Sequence, residues 1–155
     1  MASGAATDSP QRQPSPCHAR GHGEFSLPDR RCTPGVADTA VTQANIQRTI
    51  CRAGYSRKVR PPVSVTDPEK LASMRAYGDS GSPHAYEYDH LISLELGGAP
   101  NDLKNLWPEP GASPNPKDLL ENRLHKLVCN GTLTLSAAQR QIATDWIKSY
   151  HRMFG

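Results

Sequence analysis

The sequence has no long apolar run, no closely spaced pair of cysteines and few aromatic residues. No apolar stretch approaches the ~20 residues that a transmembrane helix requires, so we expect no membrane-spanning segment. The four cysteines include no C-x-x-C pair, which excludes the ligand spacing of zinc knuckles. With 14 prolines, 12 glycines and a mean hydropathy of -0.62, the 155 residues indicate a single loop-rich domain that carries a tail.

The N terminus also lacks the basic region and the apolar segment of a signal peptide. Residues 1 to 26 are rich in proline, serine, glycine and glutamine, and this composition buries too little apolar surface to offset the entropy of ordering the chain. We therefore predict a flexible tail over residues 1 to 26 and a single domain over residues 27 to 155.

The cysteines are even in number and widely separated, which is typical of disulfides formed in an oxidising compartment. This usage favours a periplasmic or secreted location. Three pairings are possible for four cysteines, and the sequence alone does not choose among them. We prefer a bridge between Cys32 and Cys51, because it would join a loop to the end of a short helix. Cys129 would then be buried or paired with Cys17, and free buried thiols remain the alternative.

The net charge of +3 is unevenly distributed. Residues 1 to 62 carry nine Lys/Arg against four Asp/Glu, whereas residues 63 to 155 carry nine against eleven. Four basic residues fall close together, at Arg52, Arg57, Lys58 and Arg60. Such a cluster could contact a phosphate backbone, and a solvated basic loop is the alternative.

The spacing of apolar residues predicts helices and a small number of strands. Helices are expected at residues 41 to 51, 67 to 77, 116 to 129 and 135 to 153. An edge strand or extended arm is expected at residues 54 to 65, because the pattern alternates and contains a double proline.

A hairpin is predicted in the stretch YEYDHLISLELGGAPNDLKNLWPEP, residues 86 to 110. One strand is expected near Tyr86–Asp89 and a second near Asn105–Trp107, with turn-forming residues between them. The helix that begins near Pro116 completes the order ββα. Adjacent strand residues point to opposite faces, so Asp89 and His90 need a bend or bulge to serve one site.

Four short groups in this region occur in the order of a known motif, namely Asp89-His90, Gly97-Gly98, Asn105-Leu106 and Asn115-Pro116-Lys117. The region resembles the HNH endonuclease family, and the likeness covers about 30 residues directly, within a motif core of residues 84 to 129. Beyond this core, the segments LPDRRCTPG, VTQANIQRTIC and AAQRQIATDW are similar to a bacterial group of HNH-like proteins that are often exported. The resemblance implies an α+β fold in which a ββα-metal finger packs against several α-helices.

The resemblance also implies roles for individual residues. His90 is expected to be the general base and Asn105 the residue that orients it, while Asp89 and Asn115 are expected to bind a divalent cation. We expect Mg²⁺, with Mn²⁺ as an alternative, because few protein oxygen ligands leave coordination positions for water and phosphate. Ser93 stands where many members of the family carry proline.

Further residues are expected to support this site. Glu87 and His125 would support the ion and its ligands without touching the ion. Lys117 would join the four clustered basic residues in contacting nucleic acid.

Together these residues predict a metal-dependent endonuclease that hydrolyses phosphodiester bonds in DNA or RNA, with His90 activating water. Hydrolysis places negative charge on the phosphoryl oxygens, and a hard cation stabilises that charge. Two alternatives remain open. The finger could bind nucleic acid without cutting it, or the chain could be a disulfide-stabilised exported protein with a structural or toxin role.

Overall fold

The computed structural model describes residues 11 to 155, which combine α-helices with short β-strands and confirm the predicted α+β class. The strands are β1 (Arg20–His22), β2 (Phe25–Leu27), β3 (Tyr86–His90) and β4 (Leu106–Pro110). The helices are α1 (Tyr55–Val59), α2 (Val63–Ala76), α3 (Pro116–Cys129) and α4 (Leu135–Phe154). Short 3₁₀ turns occupy Gln43–Arg48, Pro83–Ala85, Leu94–Leu96 and Leu103–Asn105.

The hydrophobic core forms where α3 and α4 pack together, and both helices lie where the sequence predicts them. Residues three or four positions apart share one face of a helix, so each helix buries a stripe. On α3 the buried apolar residues are Leu120, Leu124 and Val128, and on α4 they are Leu135, Ala138, Ile142 and Trp146. Across the described part of the chain, no helix is both long enough and apolar enough to cross a bilayer.

The segment before residue 27 does not match the predicted flexible tail in the part that the structure describes. β1 and β2 form an antiparallel hairpin, and the ring of Phe25 stacks on Trp146 with centroids 5.9 Å apart. The Trp146 Nε1–H donates to the backbone oxygen of Ser26 at 2.9 Å. One aromatic residue and one disulfide thus attach this segment to the core. Residues 1 to 10 of the predicted tail lie outside the described residues.

The two disulfides join Cys17 to Cys32 and Cys51 to Cys129. The preferred bridge between Cys32 and Cys51 is therefore wrong. The 3₁₀ turn Gln43–Arg48 carries Cys51 to the C-terminal end of α3, where Cys129 lies, whereas Cys32 lies beside the segment that leads into β1.

The edge strand predicted at residues 54 to 65 is also wrong. This stretch forms the short helix α1, and Pro62 then occupies the N-cap position of α2 with extended dihedral angles. A proline at a helix start loses no hydrogen bond, because the first backbone N–H groups of a helix have no partner within it. α2 therefore begins at Val63, before the predicted start, and Pro68 lies inside it.

The predicted hairpin is present as the antiparallel pair β3 and β4, in which Glu87 is opposite Glu109 and Asp89 is opposite Trp107. Five residues then lead into α3, so the strand order ββα occurs in the chain. This arrangement brings the first turn of α3 against the hairpin.

Candidate functional site

Three carboxylates share one face of the β3–β4 hairpin. Glu87 and Asp89 are two residues apart, so their side chains point the same way, and Glu109 is the strand partner of Glu87. One ligand oxygen of each residue lies within 4.8 Å of the others. Glu109 is fully buried and neither of its carboxyl oxygens has a hydrogen-bond partner.

The buried ammonium of Lys117 reaches the same face from the first turn of α3. Its Nζ lies 2.7 Å from Asp89 Oδ2 and 2.7 Å from Glu121 Oε1, and it donates to the backbone oxygen of His90 at 3.0 Å. Burial alone would lower the pKa of Lys117, but the neighbouring carboxyl groups raise it above its ordinary value, so the side chain is charged. Lys117 is 0% exposed, which contradicts its predicted contact with nucleic acid.

The carboxylates here outnumber the single ammonium, and the pKa values of two of them are raised. Burial, followed by repulsion from Asp89 and Asp118, raises the pKa of Glu87 to about 7. Burial and the charge of Asp89 raise the pKa of Glu109 well above its ordinary range. The face therefore favours any additional positive charge, whether a proton or a cation.

The resemblance implies a divalent cation, and the carboxylate oxygens of this face are the ligands available to bind it. Carboxylate oxygens are the ligands that Mg²⁺, Mn²⁺ and Ca²⁺ prefer, and the unpartnered oxygens of buried Glu109 lack the hydrogen bonds that buried polar groups normally make. The residues present therefore fit a hard divalent cation.

Asn115 does not have the geometry of the predicted metal ligand. It is the N-cap of α3, where its Oδ1 accepts from the backbone N–H of Asp118 at 3.1 Å. Its Nδ2 donates to Glu87 Oε2 at 2.9 Å. Asn115 thus orients Glu87 with the amide that was expected to touch an ion. Glu87, which is expected to support the site without touching an ion, accepts this hydrogen bond and is one of the three clustered carboxylates.

His90 is held in one tautomer. Its Nε2 lies 2.8 Å from the backbone oxygen of Pro100, which can only accept, so Nε2 carries the proton and Nδ1 is left as an acceptor. Burial lowers the pKa of His90, so the ring is neutral at pH 7. The predicted general base is thus in the form that can accept a proton.

Asn105 hydrogen-bonds the loop that carries Pro100, and none of the hydrogen bonds found for its side chain involves the His90 ring. Its Nδ2 donates to the backbone oxygens of Ile92 at 3.0 Å and Ala99 at 3.1 Å, and its Oδ1 accepts from Ile92 N at 2.9 Å. The predicted orienting residue therefore fixes the loop whose carbonyl orients the imidazole.

The glycine pair permits this loop to close. A Cβ on Gly98 would lie 1.7 Å from the backbone oxygen of Ile92, and Gly97 has a φ of +77°, in the left-handed region. Only glycine fits both conditions without strain.

Asp89 and His90 border one cavity of about 180 Å³, although β3 pairs with β4 in an unbroken register. Of the expected bend or bulge, no bulge interrupts this strand pair, but the chain bends at Leu91 and Ile92. His90 is the last residue of β3, so this bend follows it directly, and both Asp89 and His90 border the cavity.

The basic cluster lies on and around α1, and all four of its side chains are exposed. Arg60 borders the cavity beside Asp89 and also two adjoining cavities of about 410 and 710 Å³. Arg52 and Arg57 border the largest of the three, while Lys58 is exposed on the same helix. The three cavities share Arg60 and other lining residues, so they lie side by side, and we call them together the groove.

His125 borders the 710 Å³ cavity and not the one that Asp89 and His90 border. Its Nε2 lies 2.8 Å from the backbone oxygen of Ile50, and its Nδ1 lies 3.9 Å from Glu95 Oε2. The sequence predicts that His125 supports the carboxylate face. The hydrogen bond and ion pair found for His125 go instead to Ile50 and Glu95.

Comparisons of this chain with protein-family models, with curated proteins and with solved structures gave no match. Two residues of the site were missed from the sequence, Glu109 and Glu121. The pairing of β4 with β3 would have placed Glu109 opposite Glu87, and the i, i+4 spacing would have paired Glu121 with Lys117.

Proposed function

We propose that this protein is a metal-dependent endonuclease of the HNH type that hydrolyses phosphodiester bonds in DNA or RNA. The observation that carries the proposal is the shared cavity of Asp89, His90 and Arg60. The imidazole of His90 and the guanidinium of Arg60 thereby border one space together with four acidic residues, namely Glu87, Asp89, Asp118 and Glu121. The chain order of β3, β4 and α3 further supports the ββα-metal finger that the resemblance implies.

In the proposed reaction His90 is the general base. Its Nδ1 accepts a proton from water while the water oxygen attacks phosphorus, and one ester P–O bond breaks as the new P–O bond forms. The leaving alkoxide takes a proton from solvent. General-base catalysis of this kind typically contributes ~10² to 10⁴-fold in rate.

Positive charge stabilises the phosphoryl oxygens in this reaction. The Arg60 guanidinium has the planar donor geometry that matches a phosphate, and the groove arginines bind the flanking phosphates without reading sequence. A divalent ion, when bound with Asp89 as a ligand, would supply further stabilisation of the developing negative charge.

A second candidate is a nucleic-acid-binding module without catalysis. The observation in its favour is the 2.7 Å ion pair of Lys117 with Asp89, which already gives that carboxylate a cationic partner. In this case the groove would bind phosphates but no bond would be cut.

A cleavage assay separates the two candidates. Supercoiled plasmid and single-stranded RNA are incubated with the protein in Mg²⁺, in EDTA, and with the variants H90A and H84A. His84 is an exposed histidine in the turn before β3 and serves as the matched control. We expect cleavage in Mg²⁺ that EDTA abolishes, that H84A retains, and that H90A reduces by at least about 10²-fold.

The outcomes divide cleanly. Cutting that persists in H90A or in EDTA contradicts the proposed mechanism. A gel shift of either nucleic acid without any cutting in Mg²⁺ supports the binding module instead.

A further inference from the structure

Glu109 is a buried carboxyl group without a partner. It is 0% exposed, and both of its oxygens lack a hydrogen bond. An ionised carboxylate left unsatisfied there costs free energy, so Glu109 needs either a proton, which it would share with Asp89, or a cation. Its oxygens face Glu87 and Asp89, which are themselves acceptors when ionised.

The charges around Glu109 point to the same missing partner. Four carboxylates surround the single ammonium of Lys117, namely Glu87, Asp89, Glu109 and Glu121. Lys117 balances one of these charges. Buried carboxylates at this spacing cannot all stay ionised without further positive charge.

We infer that Glu87, Asp89 and Glu109 together form a divalent-cation site, in which Glu109 is the innermost ligand. The role of this ion in catalysis rests on the proposed function. The ligand set differs from the expected one, because Glu87 and Glu109 take the place of Asn115. An ion can enter from the 180 Å³ cavity, which Glu87 and Asp89 border.

The spacing of the oxygens suits such an ion. Two ligands of one cation can be no farther apart than twice the metal–oxygen distance, which is about 5 Å for Ca²⁺ and about 4 Å for Mg²⁺. The three oxygens lie within 4.8 Å of one another. This upper limit falls within the span of two Ca²⁺ ligands, whereas Mg²⁺ or Mn²⁺ would need the oxygens to draw closer together.

Asn115 has a defined part in this site. Its Nδ2 fixes Glu87 Oε2 at 2.9 Å, and its Oδ1 is fixed in turn by the helix cap. A hydrogen-bonded ligand keeps its orientation before the ion arrives, which strengthens binding. Asn115 is therefore a positioning residue for Glu87.

The test measures ion binding directly, with the full chain and without nucleic acid. The protein is stripped with EDTA and dialysed, and its thermal unfolding is followed by circular dichroism against Mg²⁺, Mn²⁺ and Ca²⁺. Terbium luminescence provides a second readout, since Trp107 is the strand partner of Asp89 and can sensitise a bound Tb³⁺. The variants are E109Q, E87Q and the control E69Q, which alters a half-buried carboxylate on α2.

We expect the ions to raise the Tm of the natural protein and of E69Q. E109Q, which keeps the shape but removes the charge, should weaken binding of Mn²⁺ by more than about tenfold, and E87Q should do the same. Far-UV circular dichroism checks that both variants fold. Equal affinity in E109Q and the natural protein would overturn the inference. Absence of binding to the natural protein would also overturn it, and would assign a shared proton to Glu109.

The inference and the proposed function can fail separately. If Glu109 is needed for ion binding but no nucleic acid is cut, the cation site stands and the nuclease proposal falls. If Mg²⁺-dependent cutting occurs while E109Q binds the ion normally, the nuclease proposal stands and this ligand assignment falls.

Discussion

Opening the bridge between Cys51 and Cys129 should destabilise the protein more than opening the other bridge. The two cysteines are 78 positions apart, so the bridge closes a long loop and removes much conformational entropy from the unfolded chain. The chain-entropy relation gives a stabilisation of about 4.5 kcal/mol for a loop of this length. The same relation gives about 3 kcal/mol for the bridge between Cys17 and Cys32, which are 15 positions apart.

The measurement compares the double variants C51S/C129S and C17S/C32S by urea denaturation, with thermal unfolding as a second readout. We expect the free energies of unfolding to differ by about 1.5 kcal/mol between the two variants. For a chain of this length, loss of the longer bridge lowers the Tm by about 9 to 18 °C.

Two results would refute this reasoning. Peptide mapping of the natural protein could find a different pairing, such as Cys32 with Cys51. Alternatively, C17S/C32S could prove the less stable variant although mapping confirms both bridges, which would show that loop length does not determine the loss.

Three further substitutions test how the site is held. G98A should lower the free energy of unfolding by about 3 kcal/mol, because the added methyl group overlaps the Ile92 oxygen; a neutral effect in urea denaturation would refute the close approach. N105A leaves three buried backbone groups unpaired and should cost at least about 3 kcal/mol, and faster amide exchange in residues 91 to 104 would locate the loss in the loop. K117M leaves Asp89 without its buried partner and should cost about 3 to 5 kcal/mol in the absence of divalent ions, so unchanged stability would contradict the ion pair.

The sequence predicts the long helices well because a buried apolar stripe runs along each, although α4 is kinked at Asp145, whose φ of -162° and ψ of 86° are not helical. α3 and α4 have apolar residues at regular three- and four-residue intervals, and this spacing is incompatible with a strand. α1 has only five residues, too few to show a helical period, and the alternation of its residues predicts a strand instead. In the helix, Tyr55 packs against the hydrophobic core. The local sequence pattern does not reveal this tertiary contact.

The disulfide pairing could not be predicted for a related reason. A bridge requires two Cα atoms to lie within about 7 Å, and that distance depends on the packing of the whole chain. In the structure the Cα atoms of Cys51 and Cys129 are 5.7 Å apart although 78 positions separate them.

Within the candidate site, the motif predicted the positions of Asp89 and His90 but not the environment of Lys117. The motif predicts that Lys117 contacts nucleic acid, as an exposed cation would. Lys117 lies three positions before Leu120 and seven before Leu124, so it belongs to the buried stripe of α3. The helical spacing that predicted the apolar core therefore also indicated a buried ammonium, provided that acidic partners were sought nearby.

The charges of the site connect the nuclease proposal with the cation inference. A phosphodiester that approaches His90 brings negative charge to a cavity bordered by Glu87 and Asp89, and like charges repel strongly where water is scarce. Arg60 supplies one positive charge at the cavity, and the ammonium of Lys117 is already engaged with Asp89 and Glu121. Further positive charge is needed before a phosphate can lie against this face, and a divalent ion supplies it where the carboxylates converge. Cutting that proceeds equally well in metal-free buffer would therefore contradict the metal-dependent mechanism, whereas the cation site is decided by the binding measurements on Glu87 and Glu109.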